Sequence, residues 1–261
     1  MRSITIVRCF VVLLSAAGRL ASAAMPQFGT FDSGGVKIAY VTAGSGEPVV
    51  LVHGLQSSAD LNWQLPGTFA LLAEHYHVIA MDLRGHGRSD KPESEDAYGE
   101  PMVQDIVGLM DQLKIEKAHV VGYSLGGIIV MKFMVEHPDR VISGMLGGMG
   151  WLREGSALQA FFERVPATRE SSRTPLAVVH GISKLAITEA QLRGIKLPVE
   201  VLVGDRDPCK RLYVEPLEMV RKDWPVVEIQ DAGHLNCVAK EQFKQELAKW
   251  IAKNCGSAPK Q

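Results

Sequence analysis

The sequence predicts an α/β fold, a single domain built on a mostly parallel central sheet flanked by helices. Three observations carry that expectation. The chain has 261 residues, generous for one domain and short for two. From Gly35 onward, short β-branched runs alternate with helix-length segments, the rhythm of a sheet wrapped by helices. Two of the runs, His77–Met81 and His119–Val121, lead straight into glycine-containing loops.

Each element has its own signal. Val36–Val41 and Val49–Val52 read as strands, separated by the turn residues Ala43-Gly44-Ser45-Gly46-Glu47-Pro48. His77–Met81 and His119–Val121 read as further buried strands. Between them, Met102–Leu113 is apolar at 102, 103, 106, 107, 109, 110 and 113, the broad stripe of a helix packed on a sheet. A strand ending near Gly150 precedes an irregular stretch, 151–196, which holds Trp151, Phe161, Phe162 and a Ser/Arg/Thr-rich loop at 168–174. That stretch reads as a small cap insertion over the sheet edge. Val199–Val203 and Val226–Ile229 complete the strands. Segment 238–253 places Phe243, Leu247, Trp250 and Ile251 at helical spacing and should dock as a last helix.

Composition narrows the class. Apolar residues make up 46% and charged residues 22%, with 25 Gly and 13 Pro. These values exclude a disordered chain, a collagen-like repeat and a disulfide-dense mini-protein. The net charge of −1 offers no basic patch for nucleic acid.

The first residues read as a signal peptide, 1–23, removed to leave a domain at 24–261. Arg2 and Arg8 flank the start, Cys9–Ala17 is apolar or small, and Ala21-Ser22-Ala23 supplies the small-x-small cleavage pattern. The run is too short for a membrane span, and Arg19 interrupts it. Removal takes away three arginines and no acid, moving the net charge from −1 to −4. The expected location is then periplasmic or secreted; the alternative is a cytoplasmic chain starting at Met25. Export would expose Cys209, Cys237 and Cys255 to an oxidising compartment.

The decisive motif is Val120-Val121-Gly122-Tyr123-Ser124-Leu125-Gly126-Gly127-Ile128, a buried strand running through Gly-x-Ser-x-Gly into an apolar helix. In that context the serine sits on a sharp strand-to-helix turn. Only glycine-sized residues two positions away avoid collision across it, and the new helix aims its N-terminus at the reacting centre. His75 and His77 form a metal-like His-x-His pair, but no third ligand lies nearby, so neither metal nor cofactor is expected.

Upstream, Val49–Val52 ends in His53-Gly54-Leu55. With Asp82-Leu83-Arg84-Gly85-His86-Gly87-Arg88-Ser89, Gly122-Tyr123-Ser124-Leu125-Gly126, Gly204-Asp205-Arg206-Asp207 and Ala232-Gly233-His234, the chain resembles the α/β-hydrolase family over about residues 30–253. The resemblance implies Ser124 as nucleophile, His234 as general base and Asp207 as the acid that orients it, in the chain order expected for that fold. Asp205 competes with Asp207; the family pattern Gly-x-x-Asp selects Asp207. The oxyanion hole would use the backbone N–H groups of Leu55 and Leu125. His53, Asp82, Arg84 and His86 match positions that shape loops.

A serine nucleophile supports acyl transfer to and from a small-molecule substrate, with carboxylic esters as the leading class. The alternatives are a same-fold perhydrolase, a carbon–carbon bond hydrolase, or a ligand-binding sensor with little turnover. Tyr123, Trp151, Leu152, Leu158, Phe161 and Phe162 are the expected substrate wall, in a cleft that accepts short acyl esters. Proximity of the acid and histidine loops further implies a Cys209–Cys237 disulfide closing a loop of roughly 28 residues, leaving Cys255 unpaired.

Overall fold

The structure is a computed structural model that describes residues 25–164 and 175–256. The expected leader at 1–23 and the loop at 168–174 lie outside the described residues.

An eight-stranded sheet forms the centre. Its strands are β1 (Gln27–Ser33), β2 (Val36–Ala43), β3 (Pro48–Val52), β4 (His77–Met81), β5 (Ala118–Tyr123), β6 (Val141–Gly147), β7 (Val199–Gly204) and β8 (Val226–Ile229). Their order across the sheet is β1-β2-β4-β3-β5-β6-β7-β8. β1 and β2 pair antiparallel, as do β2 and β4, and every pair from β4 to β8 is parallel.

β1 has no counterpart among the expected strands. It is an edge strand, largely exposed, so it lacks the apolar run that marks its neighbours. Its signal lies in the turn: Gly34 and Gly35 both take positive φ, 64° and 84°, which closes a two-residue hairpin onto Val36.

The central strands are apolar at consecutive positions because both faces are covered. Val50 and Val52 point into one core with Ile79, Met81 and Val120; Val49 and Leu51 point into another with Val78, Ala80 and Val121. Helices α1 (Thr68–Ala73), α2 (Glu100–Gln112) and α3 (Leu125–Glu136) follow β3, β4 and β5 respectively. α2 buries Met102, Val103, Ile106, Leu109 and Met110, the stripe its sequence displays.

Between β6 and β7 stand three short helices, α4 (Ala157–Arg164), α5 (Leu176–Ser183) and α6 (Glu189–Gly194). A single bridge between Arg153 and Ile187 ties their flanks together. α7 (Glu215–Val220) follows β7. The last helix, α8 (Glu241–Asn254), buries Phe243, Leu247, Trp250 and Ile251 in the second core. Among the described residues, no helix is long and apolar enough to cross a membrane.

One buried ion pair locks the loop after β4 to α2. Arg84 donates from Nε and Nη2 to the two carboxylate oxygens of Asp105, at 2.7 and 2.6 Å, and from Nη1 to the Ala97 carbonyl at 2.9 Å. Both side chains are almost fully buried. Burial pushes the Asp105 carboxyl above its ordinary range, against the pull of Arg84. Asp105→Asn would strand the guanidinium charge in the core and is expected to cost about 3–5 kcal/mol. Urea unfolding measures it; a loss below about 1 kcal/mol would mean the pair is easily replaced.

Parallel strands end at one edge of the sheet, and their following loops converge there. That edge collects His53 after β3, Asp82 after β4, Ser124 after β5, Asp207 after β7 and His234 after β8.

Candidate active site

The turn at the end of β5 is tight enough to be dictated by its glycines. A Cβ on Gly122 would lie 2.1 Å from the Gly126 carbonyl oxygen, and one on Gly126 would lie 2.2 Å from that of Val52. Ser124 itself takes φ 53° and ψ −118°, outside the comfortable range for an L residue. Its N–H is fixed by the Gly147 carbonyl at 2.8 Å. α3 begins at the next residue, so the positive end of its dipole lies beside the serine hydroxyl.

His234 bridges the serine to an acid. Its Nε2 lies 2.8 Å from Ser124 Oγ and its Nδ1 lies 2.9 Å from Asp207 Oδ2. The Asp207 side chain is wholly buried, whereas a quarter of the His234 side chain reaches solvent. The other Asp207 oxygen, Oδ1, accepts the Cys209 N–H at 2.8 Å. A carboxylate held in this way accepts a hydrogen bond from a proton on Nδ1, which leaves the Nε2 lone pair facing the serine hydroxyl.

Asp205, the competing acid, has a different task. Its Oδ1 accepts the Ala232 N–H at 2.9 Å, and the backbone beside it bonds Ile229 and Ala232. It therefore ties the loop after β7 to the loop that carries His234, two residues short of the imidazole.

The His53-Gly54 loop touches the serine turn directly. A Cβ on Gly54 would sit 3.1 Å from Ser124 Cβ, and the Gly54 N–H is held by Asn62 Oδ1 at 2.8 Å. Leu125 is the first residue of α3 and Leu55 follows Gly54, so the two expected backbone donors belong to the two segments that meet at the serine turn. Asn62 is not legible in the sequence, since no spacing marks a side chain that braces a loop eight residues behind it. Asp82 braces the same region, accepting the Ala59 and Arg88 N–H groups at 2.8 Å each.

Among the described residues, the members of the expected substrate wall stand in different surroundings. Tyr123 is buried and its hydroxyl donates to the His234 main-chain carbonyl, so it supports the site from beneath. Leu152 is buried in the core. Trp151 is also buried, with Nε1 donating to the Ile187 carbonyl at 2.9 Å. Trp151 and Leu158 share a cleft of about 550 Å³ with Arg153, Leu212 and Met219, and that cleft includes neither Ser124 nor His234. Phe162 packs on the first core, while Phe161 stands exposed against its edge. Alternating apolar residues in a short helix signal a buried stripe, not which cavity they face.

The expected disulfide is corrected as well: Cys209, Cys237 and Cys255 are all free thiols. Cys209 packs against the core that contains α2 and α3, whereas Cys237 is buried in the core that contains α1 and α8. The acid and histidine loops do meet, but their cysteines turn to opposite faces of the sheet. Burial and the nearby Asp207 charge push both thiols up to about 12.

Asp207, Cys209 and His234 each offer a ligand atom within 4.8 Å of the others, alone in this among the described residues. Both imidazole nitrogens are already engaged and the Cys209 thiol is held protonated, so the donor set fits hydrogen bonding and not a metal ion.

Three other imidazoles are buried and neutral. His53 accepts the Leu83 N–H on Nε2 at 3.0 Å and donates from Nδ1 to the Gly54 carbonyl at 2.7 Å, stitching the loops after β3 and β4. Burial, reinforced by neighbouring His86, holds it well below the ordinary histidine range. Burial likewise lowers His86 and His119. Unfolding frees all three to bind protons near pH 6.5, so their contribution to stability is complete above that value and falls as pH drops below it, while Glu100 and Glu200, whose carboxyls burial raises to about 7, pull the other way. By pH 5 one imidazole kept neutral costs at most about 2 kcal/mol. Urea midpoints at pH 7.5 and pH 5 for the wild type and His119→Asn test this; a pH dependence that the substitution leaves unchanged would contradict it.

The family model described as alpha/beta hydrolase fold matches residues 47–186, more than half of the chain. Epoxide hydrolase A of Mycobacterium tuberculosis is 41% identical over 115 residues, covering 42% of this chain and 34% of that protein. The dihydrolipoyllysine-residue acetyltransferase component of the acetoin cleaving system of Pseudomonas putida is 35% identical over 242 residues, covering 80% of this chain and 64% of its own length. Several curated relatives are matched over only about one third of their length. Among solved structures, a thermophilic esterase from Thermogutta terrifontis superposes with a TM-score of 0.72 at 24% identity, covering 88% of this chain and 99% of the esterase.

Proposed function

The chain belongs to the α/β-hydrolase fold family, and from that premise we propose that it is a serine hydrolase that cleaves carboxylic esters through an acyl-enzyme on Ser124. The observation that carries the reading is the hydrogen-bond chain from Ser124 Oγ through both nitrogens of His234 to the buried Asp207 carboxylate.

In this mechanism Ser124 Oγ attacks the ester carbonyl carbon as its proton passes to His234 Nε2. The carbonyl oxygen becomes an oxyanion, stabilised by the N–H groups of Leu55 and Leu125 and by the N-terminus of α3. His234 then protonates the leaving alcohol and the acyl-enzyme forms. Water, deprotonated by the same imidazole, attacks that acyl group; the carboxylic acid leaves and Ser124 Oγ regains its proton. Asp207 orients the imidazole and offsets its positive charge in both halves.

The nucleophile's chemistry separates this reading from that of the epoxide hydrolase relative. Opening an epoxide by a carboxylate gives an ester that water can cleave, whereas a serine would be left as an ether, which water does not readily cleave. Serine suits a carbonyl carbon. Carbon–carbon bonds beside a carbonyl remain the second reading, since they share that electrophile.

The test is steady-state turnover on p-nitrophenyl esters graded by acyl length, run beside fluorophosphonate labelling. Multiple turnovers with short acyl chains favoured are expected. Labelling of Ser124 without multiple turnovers would instead mark a ligand-binding sensor.

A further inference from the structure

We propose that Tyr123 is a positioning residue for the general base: its phenol holds the main-chain carbonyl of His234 and so fixes the imidazole between Ser124 and Asp207. The inference rests on the serine-hydrolase reading and adds to it a residue outside the catalytic triad and the oxyanion donors.

The contact is direct and buried. Tyr123 is the last residue of β5, nearly inaccessible to solvent, and its hydroxyl donates to the His234 carbonyl oxygen. Its ring centroid lies 5.7 Å from the imidazole, tilted by 32°. Phe243 of α8 meets the same ring edge-on at 5.9 Å. The room for the ring comes from two glycines: a Cβ on Gly147 would lie 2.7 Å from Tyr123 Cδ2, and one on Gly148 would lie 3.1 Å from Cζ.

The histidine loop needs such a hold. Asp231 takes a positive φ of 53°, and Leu235, next to the imidazole, is 93% exposed. The loop's other bonds act on its neighbours: Asp205 holds Ala232 N–H, Asn236 holds Gly233 N–H, and Cys237 N–H returns to the Gly233 carbonyl. Among the described residues, Tyr123 alone ties the backbone of His234 itself to the sheet. Because Tyr123 is covalently joined to Ser124, one short segment carries the nucleophile and holds the base. The imidazole then needs little reorganisation to meet the serine, which is where misplacement of a catalytic group is costly.

Tyr123→Phe removes the hydroxyl and keeps the ring. The expected result is a fall in kcat of about tenfold with KM changed by less than about twofold. The titratable groups around the imidazole are Asp207 and Cys209 from the loop after β7, Tyr123 from β5 and Cys237 beside the phenol. As a comparison, Ile106→Val in α2 should lower thermal stability and leave kcat and KM unchanged. A second readout needs no turnover: the hydrogen-bonded Nδ1 proton of His234, seen by NMR in the wild type, should broaden or vanish in Tyr123→Phe. Unchanged kcat and proton signal in folded Tyr123→Phe would overturn the role. Absence of labelling or turnover in the wild type would sink the functional reading instead, and the proton signal would still decide the clamp.

Discussion

Ser124→Ala is expected to reduce ester turnover at least about a thousandfold while leaving the circular dichroism spectrum unchanged. The size follows from how the triad works: without the nucleophile, neither the base nor its acid has a proton to move, and only binding and oxyanion stabilisation remain. The fold should survive because the turn is fixed elsewhere. Its glycines make the close approaches at Gly122 and Gly126, and its backbone N–H is held by Gly147. Alanine does inherit the φ of 53°, so a modest loss of stability, or even a gain from removing a polar group, is compatible with this account. Retention of more than about a tenth of wild-type turnover would remove Ser124 from the mechanism.

Asp207→Asn is expected to cost on the order of 10⁴-fold in kcat, against less than about threefold for Asp205→Asn. The geometry explains the contrast. Cys209 N–H donates to Asp207 Oδ1, which will keep the asparagine oxygen at that place and turn its NH₂ group towards His234 Nδ1. The imidazole must then accept on Nδ1 and carry its proton on Nε2, the wrong tautomer to receive the serine proton. Asparagine at 205 still offers an oxygen to the Ala232 N–H, so the loop keeps its tie. Kinetics of the two variants side by side check this; the reverse order would make Asp205 the acid.

Much of the fold and of the triad is legible in the amino-acid sequence, and for physical reasons. The strands around the site are buried on both faces, so Val49–Val52 and His77–Met81 advertise themselves as apolar runs. Ser124 and Asp207 follow turns whose tightness demands glycine at 122, 126 and 204, and glycine is visible in a sequence. What escapes lacks such a demand. β1 is an exposed edge whose only mark is a glycine pair. Asn62 and Tyr123 act through single hydrogen bonds to backbone atoms 8 and 111 residues away, and nothing at the level of residue spacing encodes them. The expected disulfide fails for a related reason. The acid and histidine loops meet as their chemistry requires, but which face of the sheet each cysteine takes depends on backbone direction within the loop.

The central claim is a covalent acyl intermediate on Ser124, and mass spectrometry of acid-quenched enzyme tests it most directly. Mixed with excess p-nitrophenyl acetate and quenched within the first turnovers, the wild type should carry one acetyl group on the peptide containing Ser124, and Ser124→Ala should carry none there. Sustained turnover with no adduct on that peptide, or with the adduct on another residue, would contradict the account.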